Sequence, residues 1–143
     1  MKQCLVDANV LLSLLVRQHI HHHAARSWFD HLHAGEAGVC RMVQLSVIRL
    51  LGNRAVMAKD ALSDAAAWRL VAELLEDERL EFVPEPDSLD DFLPKFLRYP
   101  VPTVNLIADA YLAAFAVAAS RRIATFDHGF RQFDELKVDL LEG

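Results

Sequence analysis

Short, wholly apolar runs alternate along the chain with longer segments in which apolar residues recur roughly every three to four positions. The short runs are typical of strands buried on both faces, and the longer segments are typical of helices that bury one face. Strand patterns lie at 2–7, 38–41, 81–83, 122–125 and 138–141. Helix patterns lie at 10–16, 24–33, 43–51, 60–75, 88–97 and 104–119. This alternation predicts one α/β domain over 1–143, with a mainly parallel central sheet of four to five strands and helices on both faces.

The composition is that of a folded protein of a reducing compartment. Of the 143 residues, 53% are hydrophobic and 24% are charged, which is typical of globular chains and not of disordered ones. Cys4 and Cys40 both lie in apolar, strand-like stretches, so we expect buried, reduced thiols and a cytoplasmic location. The longest apolar stretch, 106–120, is interrupted by Asp109 and is shorter than the roughly 18 residues of a membrane span. No membrane association is therefore expected.

The net charge limits which partners the chain can bind. Fifteen basic residues against 20 acidic ones give a formal charge of −5. Polyanion binding through a broadly basic surface is therefore disfavoured. A nucleic-acid substrate would need local arginines, metal ions or a partner's charge to offset the repulsion.

Three aspartates stand at apolar positions. Asp7 ends the first strand pattern, Asp109 interrupts the apolar helix "NLIADAYLAAFAVAA", and Asp127 ends the strand in "RIATFDHGF". An ionised carboxylate in such surroundings is costly unless it is paired, hydrogen-bonded or bound to a metal ion.

Each aspartate also has a local structural explanation. Asp7 can cap the helix that follows it, and Asp127 can form an Asx-turn before a glycine. Asp109 can cap a helix that begins at Ala110. However, the apolar residues 106 and 107 already follow the helical pattern, so we expect Asp109 to lie inside the helix.

A parallel sheet would bring the three acids together. Ligand sites in such sheets form at the carboxyl ends of the strands, where Asp7 and Asp127 are predicted to lie. Asp109 is on the helix that leads into the strand before Asp127. Carboxylate oxygens without histidine or cysteine suit Mg²⁺ or Mn²⁺ better than zinc. Such an ion points to phosphodiester hydrolysis by metal-activated water.

Several motifs match a known family in order and spacing. "LVDANVLLSLL" resembles the opening Asp-x-Asn motif of PIN-domain nucleases, "NLIADAYLAAFA" the central Asp helix, and "IATFDHGF" the late Thr-x-Asp motif. The stretch "CRMVQLSVIRLLGNRAVM" resembles the second element of the VapC group, which are toxins of bacterial toxin–antitoxin pairs. The similarity extends over essentially the whole chain.

The resemblance implies an endoribonuclease that depends on magnesium or manganese. It also implies neutralisation by a VapB-like antitoxin and a homodimeric state, with RNA as the substrate. At the matching positions, Asp7, Asp109 and Asp127 would be the metal-binding catalytic acids.

The resemblance also implies supporting residues around these acids. Asn9 would hold Asp7 or a metal-bound water, and Thr125 would orient the Asp127 loop. Asn105 lies four residues before Asp109, on the same helix face, and can support it.

Position 44 departs from the family pattern. Many PIN nucleases have a glutamate where this chain has Gln44. An amide can accept a hydrogen bond or ligate through its carbonyl, but it brings no negative charge. The simpler expectation is therefore one metal ion, or a site of low affinity.

Other polar residues are weaker candidates. Arg49 can contact phosphate or form a structural salt bridge, and His128 can contact substrate or simply face solvent in a turn. The histidine run "HIHHH" at 19–23 invites a zinc interpretation, but consecutive histidines point in different directions and no cysteine is nearby. We therefore interpret these as surface histidines.

Two other functions compete with the nuclease. An aspartyl-phosphate phosphatase would use Asp7 as a nucleophile, but Asn9 stands where such an enzyme needs a second aspartate. A non-catalytic PIN-fold module that binds RNA or protein is favoured by Gln44. Three semi-buried acids argue against it, because a site without chemistry has no evident need for them.

Overall fold

Five short strands form one parallel sheet, which a computed structural model of the chain describes together with its helices over residues 2–98 and 106–142. The strands are β1 Cys4–Val6, β2 Ala37–Val39, β3 Leu80–Phe82, β4 Arg122–Thr125 and β5 Val138–Leu140. Their order is β3-β2-β1-β4-β5, and every neighbouring pair is parallel. The predicted parallel sheet is confirmed, with five strands. The carboxyl ends of all five strands therefore lie along one edge of the sheet.

Helices connect the strands in the predicted alternation. They are α1 Ala8–Leu15, α2 His22–Asp30, α3 Arg41–Leu51, α4 Arg54–Met57, α5 Asp64–Leu75, α6 Leu89–Phe96 and α7 Leu106–Ala118. Two 3-10 helices, Ala58–Asp60 and His128–Gln132, complete the described elements. Residues 104 and 105 of the predicted last helix lie outside the described residues.

The helix predicted at 60–75 begins later than its pattern indicates. Ser63 caps α5, because its hydroxyl accepts a hydrogen bond from the Ala66 N–H at 3.2 Å. The preceding residues form the short helix α4, whose own cap is Asn53, with its side-chain oxygen 2.8 Å from the Ala55 nitrogen. The hydrophobic pattern runs without a break from residue 60 into the helix, but the cap at Ser63 sets the start of α5 at Asp64.

The core surrounds the inner strands of the sheet and α7. All three residues of β1 and of β2 are buried, as expected for strands covered on both faces. In α7, residues 112–116 are all buried, so this helix is apolar nearly all round because protein surrounds it. The helix packs against α6 and β4, which places its first turn near the carboxyl edge of the sheet.

Both cysteines are free and buried, as predicted. Burial, with smaller contributions from nearby carboxylates, raises the pKa of Cys4 to about 12, so this thiol stays protonated. Over the described parts of the chain, none of the helices has the length and apolar character needed to cross a bilayer.

A close approach across the sheet depends on Gly38 in β2. The Arg121 side chain is only 7% exposed; it donates to the Cys4 carbonyl at 3.1 Å and forms an ion pair with Glu81. A Cβ at Gly38 would lie 2.5 Å from Val83 Cγ2 and 2.7 Å from Arg121 Nη1. The missing side chain therefore makes room for the Arg121 guanidinium.

We predict that Gly38→Ala lowers the free energy of unfolding by about 1–3 kcal/mol, because the added methyl group overpacks this contact. Urea denaturation measures the loss. Adding Val83→Ala removes one of the two clashing groups, so the double variant should lose less than the sum of the single losses. Wild-type stability of Gly38→Ala would contradict the packing described here.

Candidate functional site

The strand pairing of β1 with β4 brings Asp7 next to Thr125. Val6 is in register with Ala124, and the Asp7 N–H donates to the Ala124 carbonyl at 3.0 Å. Asp7 follows Val6 and Thr125 follows Ala124, so the two side chains meet at the carboxyl edge of the sheet.

Both oxygens of the Asp7 carboxylate accept hydrogen bonds. Oδ1 accepts from the Ala8 N–H at 2.8 Å, which is the helix cap that Asp at this place can supply. Oδ2 accepts from the Thr125 hydroxyl, also at 2.8 Å, across 118 positions of sequence. Burial nevertheless raises the pKa of Asp7, and the charge of Asp127 acts in the same direction, whereas the two hydrogen bonds lower it. Capping therefore explains only one of the two oxygens.

The Thr125 hydroxyl connects Asp7 to Asp127. The same oxygen that donates to Asp7 accepts from the Asp127 N–H at 2.9 Å. Asp127 Oδ1 accepts from the Gly129 N–H at 2.8 Å and so caps the 3-10 helix. The Asx-type role is present, and it again uses one oxygen only. Asp127 itself is exposed to solvent.

Asp109 lies in the first turn of α7 and is half-buried. The interpretation that it caps a helix starting at Ala110 is wrong, because the helix begins at Leu106. Desolvation raises the pKa of Asp109 to about 6, and the charges of Asp127 and Asp7 add to the shift. Among the described residues, the charges that act on this carboxyl group are both negative.

The three acids from three separate elements therefore act on one another electrostatically. Within residues 2–98 and 106–142, no three His, Cys, Asp or Glu side chains are close enough together to hold a metal ion as they stand. The chemistry of the group nevertheless fits a hard divalent cation, because its donors are carboxylate oxygens and their mutual repulsion is uncompensated.

Gln44 is buried on α3, with 4% of its surface exposed. Its side-chain oxygen accepts a hydrogen bond from Arg41 Nη1 at 2.5 Å. The helix begins directly after Cys40, whose pKa is raised mainly by burial and slightly by the charge of Asp7. The start of α3 is therefore near the acids, and the Gln44 oxygen is already occupied by an arginine that sequence reasoning missed. The signal for Arg41 was its place at the carboxyl end of the strand predicted at 38–41.

The remaining candidates are exposed to solvent or lie outside the described residues. Asn9 is exposed, and the Asp7 carboxylate is held by other groups, so the role assigned to Asn9 stays a prediction. Asn105 lies outside the described residues. Arg49 is exposed in the last turn of α3, and His128 is exposed directly after Asp127.

The histidine run joins α1 to α2. His19 Nδ1 lies 3.2 Å from the Ser13 hydroxyl, and His22 Nδ1 lies 2.7 Å from the Ser13 carbonyl oxygen. The His21 ring stacks on Phe126, with centroids 4.3 Å apart. These three histidines are half-buried, which differs from the surface position we expected, because they pack against the end of α1 and the residue after β4.

Comparisons with known proteins agree with this fold. The family model described as the PIN domain matches residues 4–136. Ribonuclease VapC41 of Mycobacterium tuberculosis is 36% identical over 142 residues, covering 96% of this chain and 97% of the relative. A crystal structure of M. tuberculosis VapC20, described as a sarcin-ricin loop cleaving toxin, superposes with a TM-score of 0.72 at 14% identity, covering 98% of this chain and 100% of that one. A DNA-bound VapBC structure from Salmonella typhimurium gives 0.70 at 13% identity, covering 97% and 98%.

We predict that the Asp109 carboxyl group titrates near pH 6 in metal-free protein, as carbon-detected NMR can measure. Asp127→Asn should lower this pKa, and Asp7→Asn should lower it less, because each removes a repelling charge. Asp64→Asn, at an exposed position on α5, is the matched control and should not change it.

The same shift has a consequence for stability. The folded pKa of Asp109 is above the usual 3.8, so the native state binds more protons than the unfolded chain between 3.8 and about 6. The free energy of unfolding therefore decreases as pH rises from 3.8 to about 6, to the extent that Asp109 contributes. Asp109→Asn should remove this contribution to the pH dependence. Titration of Asp109 at its ordinary pKa would contradict the coupling.

Proposed function

We propose that this chain, which belongs to the PIN-domain family and to its VapC ribonucleases, is a metal-dependent endoribonuclease that acts as the toxin of a toxin–antitoxin pair. The observation that carries the proposal is that the charge of Asp127 raises the pKa values of both Asp7 and Asp109, although the three acids come from different elements. A bound cation would relieve the repulsion between these acids, and a divalent cation can catalyse the hydrolysis of RNA.

The proposed cofactor is Mg²⁺ or Mn²⁺, held by Asp7, Asp109 and Asp127. When bound, the ion supplies a Lewis acid that activates water and offsets the charge of the phosphodiester. The carboxylates of this chain provide hard oxygen donors at the place where the substrate must arrive.

The protein's own groups keep these donors in position. The Thr125 hydroxyl holds Asp7 Oδ2 and the Asp127 backbone, so the two strand-end acids cannot separate without losing at least one of these hydrogen bonds. The caps to Ala8 and Gly129 fix the rotation of each carboxylate. Burial around Asp7 lowers the local dielectric, which strengthens the attraction of a cation.

An antitoxin and a second copy of the chain are the proposed protein partners, and the cytoplasm is the proposed location. The VapBC structure from Salmonella typhimurium, which has the same fold, supports the antitoxin. The chain also exposes large apolar side chains that a protein partner can cover. On α3, α4 and α5 these are Leu45, Val56 and Trp68.

We predict that purified protein cuts RNA with Mn²⁺ or Mg²⁺ and stops when EDTA is added. Asp7→Asn and Asp109→Asn should each reduce the rate by at least about 100-fold, because each removes a proposed metal donor. Asp60→Asn, at an exposed position outside the site, is the control and should cut normally.

Other outcomes would favour other functions. Undiminished cutting by the folded Asp7→Asn and Asp109→Asn variants would contradict the site. Hydrolysis of phosphomonoesters with RNA left intact would favour the phosphatase. RNA binding without cutting under any metal condition would favour the non-catalytic module.

We also predict that Mn²⁺ stabilises the folded protein, since a ligand that binds only the native state raises its stability by roughly 2.7 kcal/mol at a concentration of 100 times Kd. Thermal unfolding with and without Mn²⁺ measures this. The shift should grow as pH rises through about 6, because Asp109 must lose its proton to bind the ion. An equal shift in Asp7→Asn and Asp109→Asn would place the ion elsewhere.

A further inference from the structure

The carboxyl edge of the sheet continues past the acids onto β2 and β3. Arg41 follows the end of β2 by two residues, and Phe82 is the last residue of β3. The strand order places β2 between β3 and β1, so these two side chains lie along the same edge as Asp7.

Arg41 is held in place by two neutral partners. Its guanidinium carbon lies 4.7 Å from the centroid of the Phe82 ring, and its Nη1 donates to the Gln44 oxygen. Arg41 is exposed, and the Phe82 residue is 43% exposed. A cation and an aromatic ring are thus presented to solvent in a fixed relation.

The positive charge of Arg41 is not neutralised by the protein. In the part of the chain that the structure describes, Arg41 forms no salt bridge. The acids next to Phe82 in sequence have other partners, because Glu81 pairs with Arg121 and Glu85 accepts from the Tyr111 hydroxyl at 2.7 Å. Arg41 is therefore available to an external anion.

Gln44 gains a physical role in this arrangement. A glutamate at this position would also accept from Arg41, but it would cancel the arginine's charge. The neutral amide orients the guanidinium and leaves its charge intact. With glutamine instead of glutamate at position 44, the β2 side of the edge therefore carries a net positive charge where the ion pair would be neutral.

We propose that Arg41 and Phe82 form a binding platform for single-stranded RNA beside the acidic site. Arg41 contacts a backbone phosphate, the exposed part of the Phe82 ring stacks on a base, and Gln44 positions Arg41. This inference rests on the proposed function, since RNA is its ligand. Aromatic stacking combined with a nearby cation is how proteins hold unpaired nucleotides with little sequence preference. It also supplies the local positive charge that a chain of net charge −5 needs.

The test measures RNA affinity in EDTA, where cleavage cannot interfere, by fluorescence anisotropy with a labelled single-stranded RNA. Arg41→Ala and Phe82→Leu should each raise Kd by about fivefold or more. Arg41→Ala should also reduce the slope of log Kd against log salt by about 0.7, because one phosphate contact is lost. Phe82→Leu should leave this slope unchanged.

Arg69→Ala is the matched control, since Arg69 is an exposed arginine on α5 and its loss changes the net charge equally. It should bind RNA like the wild type. Equal weakening by Arg69→Ala and Arg41→Ala would mean that net charge alone matters, and it would overturn the platform. Wild-type affinity of Arg41→Ala would overturn it as well.

A second pair of variants tests the role of Gln44 as a positioning residue. Gln44→Met keeps the volume but removes the acceptor, so it should raise Kd, while Arg41→Ala with Gln44→Met should bind no more weakly than Arg41→Ala alone. Additive losses would show that Gln44 does not act through Arg41. Urea unfolding of Gln44→Met checks that the buried substitution leaves the protein folded.

Failure of the platform can be told apart from failure of the nuclease. If Asp7→Asn abolishes cutting and Arg41→Ala binds RNA normally, the platform is wrong and the proposed nuclease stands. If the wild type never cuts RNA, but Arg41→Ala and Phe82→Leu bind RNA more weakly than the wild type, the platform stands without the catalysis.

Discussion

The Thr125 hydroxyl, which bonds to Asp7 on one side and to the Asp127 backbone on the other, is the contact on which the site depends. Parallel pairing of β1 with β4 forces these residues together, and the start of α7 adds Asp109. The resulting repulsion opposes folding, so the buried core must offset it. A protein that keeps such an unfavourable arrangement has a use for it, and a bound cation would turn the repulsion into attraction.

Charge along the carboxyl edge is divided between two regions. Asp7 and Asp127 lie at the ends of β1 and β4, and their negative charges raise the pKa of Asp109. The start of α3 carries Arg41, which forms no salt bridge among the described residues. Gln44 lies on the helix that begins after Cys40, which feels the charge of Asp7, and its side chain bonds to Arg41. A metal-dependent site can in this way meet a polyanion without a basic surface over the whole molecule.

The strands and the buried helix α7 could be predicted from the sequence because each is a clear apolar run. The three acids could be singled out because a carboxylate is not expected at an apolar position. Sequence reasoning missed α4 Arg54–Met57, since four residues are too few for a period to appear, and it started α5 early because the cap at Ser63 interrupts an otherwise helical pattern. It also missed the pairing of Arg41 with Phe82. That contact follows from β3 lying beside β2, and strand order is not written in local periodicity.

The convergence of the three carboxylates on one ion is the central claim, and a crystal soaked in Mn²⁺ tests it most directly. We expect an anomalous difference peak within bonding distance of Asp7 and Asp109, with Asp127 bound directly or through water. We also expect that the Gln44 oxygen remains bonded to Arg41. A fully soaked crystal of active protein that shows no manganese beside these carboxylates would contradict a shared ion at this site.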